Sequence, residues 1–287
     1  MTTRAPLLAA ALGLLLAAPA SRAQTLRTMS SSRQLHGERA LTVDVSYVAG
    51  RFRLLPAEPG TMYQMEMRYD EEKFTPVREF DPSDNSLRLG LRSHGHVTLA
   101  DRGDPDDAPT LDLTLATGVP LALTVELGAA EANADFGGLA ITRLSYKTGA
   151  SRSQLRFTRP NPVACDEVAF DVGAAQFTAT GLGNLGCARM KFEGGVGSVT
   201  LDFTGAWRAS ERADVSVALG TVRLRLPQGL GVSITLDRFL ASFDQEGFTQ
   251  RGSVWYSDGY AAAGNHLDLK VESAFGGIQV EWVGAGR

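Results

Sequence analysis

Few residues in this sequence have the type and spacing that catalysis or metal binding requires. His94 and His96 are separated by one residue, so a β-strand would place both imidazoles on one face, a spacing that metal ions use. The acidic segment 101–107 could supply oxygen ligands to Ca²⁺, but it lacks the ligand spacing of an EF-hand loop. We therefore interpret the two histidines as surface residues and the acidic segment as an exposed loop, and we predict no metal site.

Three acidic residues raise the possibility of polysaccharide cleavage. Glycoside hydrolysis needs two carboxylates at a set separation, and Asp202, Asp214 and Glu281 could supply them from neighbouring turns of a repeat. Arg223 and Arg225 are interspersed with these acids, as on any solvated face of a sheet. The chain contains no Gly-x-Ser-x-Gly elbow, no Ser-x-x-Lys pair and no phosphate-binding Gly-Lys-Ser/Thr loop. We predict no catalytic residue and no cofactor-binding residue.

Aromatic side chains are the other feature that could recognise a ligand. Trp207, Trp255, Tyr256 and Tyr260 could form a platform on which sugar rings stack, or they could equally cap the ends of the fold. Trp282 continues an alternating apolar run, which predicts a position in the core. The sequence leaves both interpretations of the first four residues open.

Composition excludes several classes of protein. The chain has 287 residues, of which 21% are charged, 44% are hydrophobic and two are Cys. This chain is too apolar for a disordered protein and too poor in cysteine for a disulfide scaffold. With 28 Lys and Arg against 32 Asp and Glu, it has a net charge of −4 and no basic run. Such a charge does not favour nucleic acid or an anionic membrane surface as a partner.

Residues 1–23 have the features of an export signal. Arg4 provides the positive start, residues 7–18 are apolar, and small residues precede two candidate cleavage points. Twelve apolar residues span about 18 Å as a helix, short of the roughly 30 Å of a bilayer core. We predict a cleaved leader, no transmembrane segment in the mature chain, and a periplasmic or extracellular location. Loss of Arg4 and Arg22 with the leader takes the net charge from −4 to −6.

Strand patterns dominate the rest of the chain. Apolar and polar residues alternate strictly in segments such as 41–45, 63–67 and 111–115, which predicts strands with one face in a core and the other in water. Sustained helical periodicity is hard to find. The predicted fold class is all-β.

A glycine recurs between two alternating apolar runs in the second half. Spacings of 21, 24, 24 and 23 residues separate successive glycines, and an interval of 56 residues that could hold further turns precedes the last. The apolar positions change parity across the glycine, as they would at a bulge or corner that tolerates positive φ. Repeats of this length predict a stacked-strand, β-solenoid-like architecture, with an antiparallel sandwich as the alternative. The glycines are Gly128, Gly149, Gly173, Gly197, Gly220 and Gly276.

The polar stretch around residues 101–109 is the best candidate boundary between domains. It separates a segment that alternates without the glycine pattern from the repeats. We predict a signal peptide at 1–23, an N-terminal β domain at 24–109 and a β-repeat domain at 110–287.

The two cysteines are 22 residues apart, which is one repeat length. Cys165 and Cys187 are followed at equal offsets by Phe170 and Phe192. Residues one coil apart stack at about 4.8 Å, within the range that a disulfide bridges, and export places the pair in an oxidising compartment. We predict a disulfide between adjacent coils, with two buried free thiols as the alternative.

The C-terminal stretch 231–282 resembles the bacterial toast-rack family of envelope β-repeat proteins, and more distantly the C-terminal domains of membrane proteins in the cell-wall-antibiotic response. Looser similarity extends back to about Leu35, where the family also carries an N-terminal β domain. The resemblance implies a stacked-strand fold and a role in interaction or envelope-stress sensing, without catalytic residues. The residues that carry it are Gly247-Phe248, Tyr256-Ser257, Tyr260, Ala274-Phe275-Gly276-Gly277-Ile278 and Val280.

These observations together predict an exported, non-enzymatic β-repeat protein that acts as an interaction or scaffold module in the cell envelope. Its partner would be an envelope protein or a glycan. A carbohydrate-binding or carbohydrate-active protein of the same architecture is the alternative.

Overall fold

The computed structural model describes residues 26–94 and 108–284, and this part of the chain is all-β. The predicted fold class is thereby confirmed. Within these ranges, short 3₁₀ turns at Leu182–Asn184 and Tyr260–Ala262 interrupt the connections. The strands are β1 (Leu26–Gln34), β2 (Leu41–Pro56), β3 (Thr61–Asp70), β4 (Phe74–Asp81), β5 (Ser86–Ser93), β6 (Thr110–Leu115), β7 (Pro120–Asp135), β8 (Ala140–Arg156), β9 (Cys165–Thr180), β10 (Cys187–Asp202), β11 (Glu211–Pro227), β12 (Gly231–Phe243), β13 (Phe248–Arg251), β14 (Val254–Ser257) and β15 (His266–Val283).

The long strands pair in parallel, in the spatial order β2-β7-β8-β9-β10-β11-β15-β12. Pro120 at the start of β7 lies beside Ala140 at the start of β8, yet only residues 136–139 join the two strands. This connection reaches at most about 18 Å, whereas a straight strand of 16 residues would be about 50 Å long. Each long strand must therefore fold back on itself, so that its two ends lie close together.

Contacts within single strands show this folding. The rings of Phe170 and Phe177, both in β9, have centroids 5.3 Å apart. The hydroxyls of Tyr146 and Ser153, both in β8, are hydrogen-bonded at 2.7 Å. Residues seven apart in a straight strand would be about 23 Å apart. One bent strand thus forms one coil, with its two halves facing each other across a core, and the stack is the predicted solenoid-like repeat.

The bend lies where the glycines were predicted to act. In β9 the buried positions change from Val168, Phe170 and Val172 to Phe177 and Ala179, so both halves present apolar side chains to the same interior. The resulting core is one continuous cluster that extends through all the coils.

The glycines form two columns at the bend, two residues apart, where the sequence analysis counted one. Gly173 aligns with Gly195, and Gly197 aligns with Ala175 and Gly220. The interval from Gly173 to Gly197 therefore joins two different columns. In the second column φ is +149° at Gly197 and +142° at Gly220, and the backbones of neighbouring coils are so close that a Cβ at Gly220 would lie 1.8 Å from the carbonyl oxygen of Gly197.

Coil order departs from chain order near the C-terminus. Gly220 of β11 lies directly beside Gly276 of β15, and β12 pairs with the far side of β15. The 56-residue interval does hold a further coil strand, β12, as the sequence analysis allowed, but in space β12 lies beyond β15 and not between the two glycines. A Cβ at position 276 would lie 1.7 Å from the carbonyl oxygen of Gly220. Because β12 has Ala241 at this position, it could not replace β15 beside Gly220 in that conformation.

Asparagine side chains tie the connections of successive coils together. The amide of Asn161 accepts a hydrogen bond from the Ile141 nitrogen (3.0 Å) and donates one to the Ile141 carbonyl (2.8 Å). One coil later, Asn184 donates to the Phe157 carbonyl (2.7 Å). These bonds satisfy buried backbone groups that the sheet ladders leave free.

The N-terminal strands cover the other end of the stack. The first half of β2 pairs with β5, which pairs with β4, and the second half pairs with β6, which pairs with β3 and then β1. The sheet is continuous across residues 109 and 110, because β6 pairs with β2 and β3. The division into domains at this point stays a prediction.

Candidate interaction surfaces

Cys165 and Cys187 form a disulfide between the first residues of β9 and β10. They are register partners in adjacent coils, with Cα atoms 4.3 Å apart, as the spacing of one repeat predicted. Both residues are buried, at 4% and 2% exposure. The bond therefore links the coils covalently and offers no accessible thiol for chemistry.

The histidines predicted to be surface residues lie at a strand end or outside the described residues. His94 follows β5, where its Nε2 is hydrogen-bonded to the hydroxyl of Thr75. His96 and the acidic segment 101–107 lie outside the described residues. Within ranges 26–94 and 108–284, no group of three or more His, Cys, Asp or Glu side chains is placed to hold a metal ion.

The three candidate carboxylates do not form one group. Asp202 and Glu281 flank Arg225 across three adjacent coils, with the guanidinium Nη1 2.6 Å from Asp202 and Nε 3.2 Å from Glu281. Asp214 precedes the bend in β11 and therefore lies on the opposite face, between Lys191 and Lys270. Hydrogen bonds to Glu281 and the nearby carboxylate charges raise the pKa of Arg225. A cation thus occupies the space between the two acids where a substrate would have to bind.

The aromatic residues pack at turns and at the end of the stack. The Trp207 indole nitrogen donates to the carbonyl of Phe203 (2.8 Å). The Trp255 ring lies edge-on to Phe243 at 5.4 Å, and Tyr256 and Tyr260 meet edge-to-face at 4.9 Å. Trp255, Tyr256 and Tyr260 thus pack on neighbouring rings, whereas Trp207 is anchored to a turn by its hydrogen bond. The choice between capping and sugar stacking stays a prediction.

Trp282 lies at the border of the core, whereas its register predicted a position within the core. It is partly buried and packs on the Phe248 ring at 5.3 Å. Its indole nitrogen donates to the carbonyl of Glu246 (3.1 Å).

The outer surface before the bend forms a charged face. Acids and bases alternate across coils in the rows Glu126–Lys147–Asp171 and Lys191–Asp214–Lys270. Several are paired, including Lys147 with Glu126 across coils (3.2 Å) and Lys191 with Glu193 within β10 (2.6 Å). A shallow depression of about 300 Å³ lies within this face. The charged face comprises Glu126, Lys147, Asp171, Lys191, Glu193, Asp214, Lys270 and Glu272.

The outer surface after the bend is mixed. It carries Arg152, Arg223 and the Asp202–Arg225–Glu281 group, and between these charges lies a patch of amide and hydroxyl side chains. Arg152 donates from Nε to the amide oxygen of Gln176 (3.1 Å) at its border. This neutral face comprises Gln154, Gln176, Thr178, Ser198, Thr200 and Thr221, which occupy two neighbouring rows across β8–β11.

An apolar ridge runs along the bend between the two faces, and the sequence analysis did not identify it. All five exposed large hydrophobic side chains of the described residues belong to it: Val196 (53% exposed), Leu219 (50%), Phe239 (76%), Leu240 (64%) and Phe275 (46%). The available signal was the position of Val196, Leu219 and Phe275 next to the bend glycines, where the apolar alternation changes parity.

One carboxyl is strongly perturbed. Glu211, at the start of β11, is partly buried, and this desolvation raises the pKa of Glu211 to about 8. A carboxyl with such a pKa is neutral over much of the physiological range, so it makes the stability of the fold sensitive to pH.

No helix among the described residues is long and apolar enough to cross a membrane. A family model described as the N-terminal domain of toast_rack, DUF2154, matches residues 21–178, more than half of the chain. No curated protein matches the chain.

Two solved structures show similarity to this chain. A candidate cell adhesion protein from Clostridium sporogenes is 13% identical, with 90% of this chain and 100% of that chain covered at a TM-score of 0.48. A candidate adhesin from Bacteroides fragilis is 12% identical, with 88% and 97% covered at a TM-score of 0.42. The family match covers the part of the chain where the sequence resemblance is looser, and the stretch 231–282 lies outside it.

Proposed function

This chain belongs to the toast-rack family, and we propose that it is a non-enzymatic interaction module of the bacterial cell envelope. It is exported to the periplasm or the cell surface and presents the outer faces of the coil stack to an envelope partner. The resemblance to proteins of the cell-wall-antibiotic response extends this proposal to a role in envelope stress.

The pairing of acidic groups on long, regular faces is the observation that carries the proposal. General acid catalysis needs a carboxyl that is free to approach a substrate. Asp202 and Glu281 instead share Arg225, and Glu126 and Glu193 contact lysines. Paired charges spread over many parallel strands favour recognition of an extended partner over chemistry at one point.

Export is supported by the disulfide and by the leader pattern of residues 1–23. Structural disulfides persist in oxidising compartments and are rare in the reducing cytosol. The Cys165–Cys187 bond connects register partners and is buried, which suits a permanent structural link.

Carbohydrate binding is the second candidate, and the neutral face favours it. Glycans are rich in hydroxyl groups, and amide and hydroxyl side chains can both donate and accept hydrogen bonds to them. Gln176, Ser198 and Thr221 lie in one row across three coils, so a chain of sugars could lie across them.

Cosedimentation of the purified chain with isolated cell envelopes of the host tests both candidates. Envelopes are used untreated, after protease digestion, and after enzymatic removal of glycans. We expect binding to untreated envelopes that protease removes and glycan degradation leaves intact. The opposite pattern would establish the carbohydrate alternative, and absence of binding to every preparation would refute the proposal.

Two double variants identify which outer face of the coil stack binds the envelope. Lys147→Glu with Lys270→Glu reverses charge on the charged face, and Gln154→Lys with Thr200→Lys adds charge to the neutral face. We expect one pair to weaken binding and the other to leave it unchanged. If both variant pairs bind as tightly as the unaltered chain, neither face makes the contact.

A further inference from the structure

The apolar ridge is continuous across the last four coils. Val196 pairs with Leu219, Leu219 with Phe275, and Phe275 with Leu240. At about 4.8 Å between strands, these four residues form a line about 14 Å long. Phe239 adds to it, with its ring edge-on to Phe275 at 6.0 Å.

A contiguous apolar ridge is stronger evidence of an interaction site than the same number of scattered exposed apolar residues. Single apolar side chains on a surface are ordinary, whereas a contiguous apolar patch marks an interaction site. Small residues surround the line, among them Ala218, Ala274 and the bend glycines, so the large side chains project above their surroundings.

The ridge ends at an open sheet edge. β14 pairs with β12 only from Ser233 to Thr235. Along Leu236 to Phe243, no strand of the described residues pairs with the side of β12 that faces away from β15. Arg238 donates to the carbonyl of Ala241 (3.1 Å), so a side chain of β12 itself covers one backbone group there. An open edge of this kind is a template for another strand.

The other terminal strands of the described sheet are protected against pairing. β4 contains Pro76 and the charged residues Arg78 and Glu79, β13 has only four residues, and β1 carries Arg27 and Arg33 near its two ends. Proline, charged side chains and short length are features that keep an edge strand from pairing with another chain. β12 instead carries Phe239 and Leu240 in its open stretch.

The charges near the ridge are mixed and do not oppose contact between identical surfaces. Asp237 and Arg238 are adjacent on β12, and Glu272 is paired with Lys270 at 2.6 Å. Glu193 is likewise paired with Lys191. No field of one sign surrounds the ridge, so an anionic lipid surface gains no attraction there.

We propose that the occupant of this surface is a second copy of the same chain, paired antiparallel through the open stretch of β12 about a two-fold axis. At the opposite end of the stack, the outer edge of β2 is covered by β5 over residues 42–47 and by β6 over residues 51–56. Head-to-tail growth would have to use the terminal strands β4 or β1 beyond β5 and β6, which carry proline or charged residues. The free edge of β12 in one copy therefore meets the same edge of another. This contact is isologous and closes as a dimer, in which the two ridges join across eight strands.

Sedimentation velocity of the purified chain over a range of micromolar concentrations tests the proposal. We expect a concentration-dependent dimer and no larger species. Phe239→Lys with Leu240→Lys places charge on the ridge at the open edge, whereas Asn133→Lys adds charge at an exposed position on distant β7. Loss of central apolar contacts should weaken dimerisation at least about thirtyfold, and the control should dimerise like the unaltered chain.

Ala241→Cys gives a second, independent measurement. The proposed pairing places its two-fold axis at position 241 of the open stretch, so the two introduced thiols face each other across the axis. We expect oxidation to link two chains covalently, while the thermal unfolding of all variants stays close to that of the unaltered chain. A monomer at every concentration, larger assemblies, or a dimer that persists in the lysine variant would each overturn the proposal.

Discussion

Replacement of Gly220 by alanine tests whether the glycine column sets the spacing of the coils. The added Cβ would lie 1.8 Å from the carbonyl oxygen of Gly197, where real Cβ contacts stay beyond 3.0 Å, so the coils must separate locally by at least about 1.2 Å. Gly220 also has φ +142°, a conformation that costs a side chain about 1–3 kcal/mol. A displacement of this size breaks two or three hydrogen bonds between the coils, at about 1 kcal/mol each.

These effects together put the loss of unfolding free energy for Gly220→Ala at about 4 kcal/mol, a large part of the stability of a typical domain. Gly118→Ala is the matched control, because Gly118 has φ +79° and no atom within 4 Å of the added Cβ. The control should lose only the conformational cost, about 1–2 kcal/mol. Urea unfolding followed by circular dichroism measures both.

Equal destabilisation by the two substitutions would refute the reasoning, because it would mean that the coils separate without cost. A Gly220→Ala chain that fails to fold beside a folded Gly118→Ala chain would support it, since the close contact with the neighbouring coil is absent at Gly118.

Three further predictions concern the core, the disulfide and pH. Leu224→Ala, at a fully buried position beside Leu201, should cost about 2–5 kcal/mol in chemical unfolding, whereas exposed Arg223→Ala should change stability little; equal shifts would contradict the assignment of faces. Cys165→Ser with Cys187→Ser should lower the unfolding free energy by about 3 kcal/mol, and unchanged stability would show that the bond does not constrain the unfolded chain. Burial raises the pKa of Glu211 to about 8, so its contribution is favourable at low pH and is lost as pH rises from about 4.5 to 8, because the unfolded carboxyl ionises first. Glu211→Gln should remove up to about 1.4 kcal/mol of pH dependence per unit in that window, and an unchanged pH profile would refute the assignment.

Much of the fold could be predicted from local pattern. Alternation identified the strands, and the parity change at a glycine located the bend, because inward packing on both sides of a corner requires that change. The 22-residue interval between Cys165 and Cys187 predicted their register, since equal coil lengths place equal offsets side by side. Val222 and Leu224 lie beside Val199 and Leu201 for the same reason.

The candidate sites were less predictable, because they depend on which residues face each other across coils. Asp202, Asp214 and Glu281 all lie at outward positions in sequence, yet the bend in β11 puts Asp214 on one face and Arg225 on the other. Alternation alone does not indicate that Arg225 separates Asp202 from Glu281.

The sequence by itself determined the all-β class, the length of the coil, the position of the bend and the pairing of the cysteines. All of these follow from interactions that repeat at a short, regular interval. Only the tertiary structure decided the order of the last coils, the open edge of β12 and the apolar ridge along the bend. These depend on which strand lies beside Gly220, and the close approach of the two backbones there admits Gly276 and excludes Ala241.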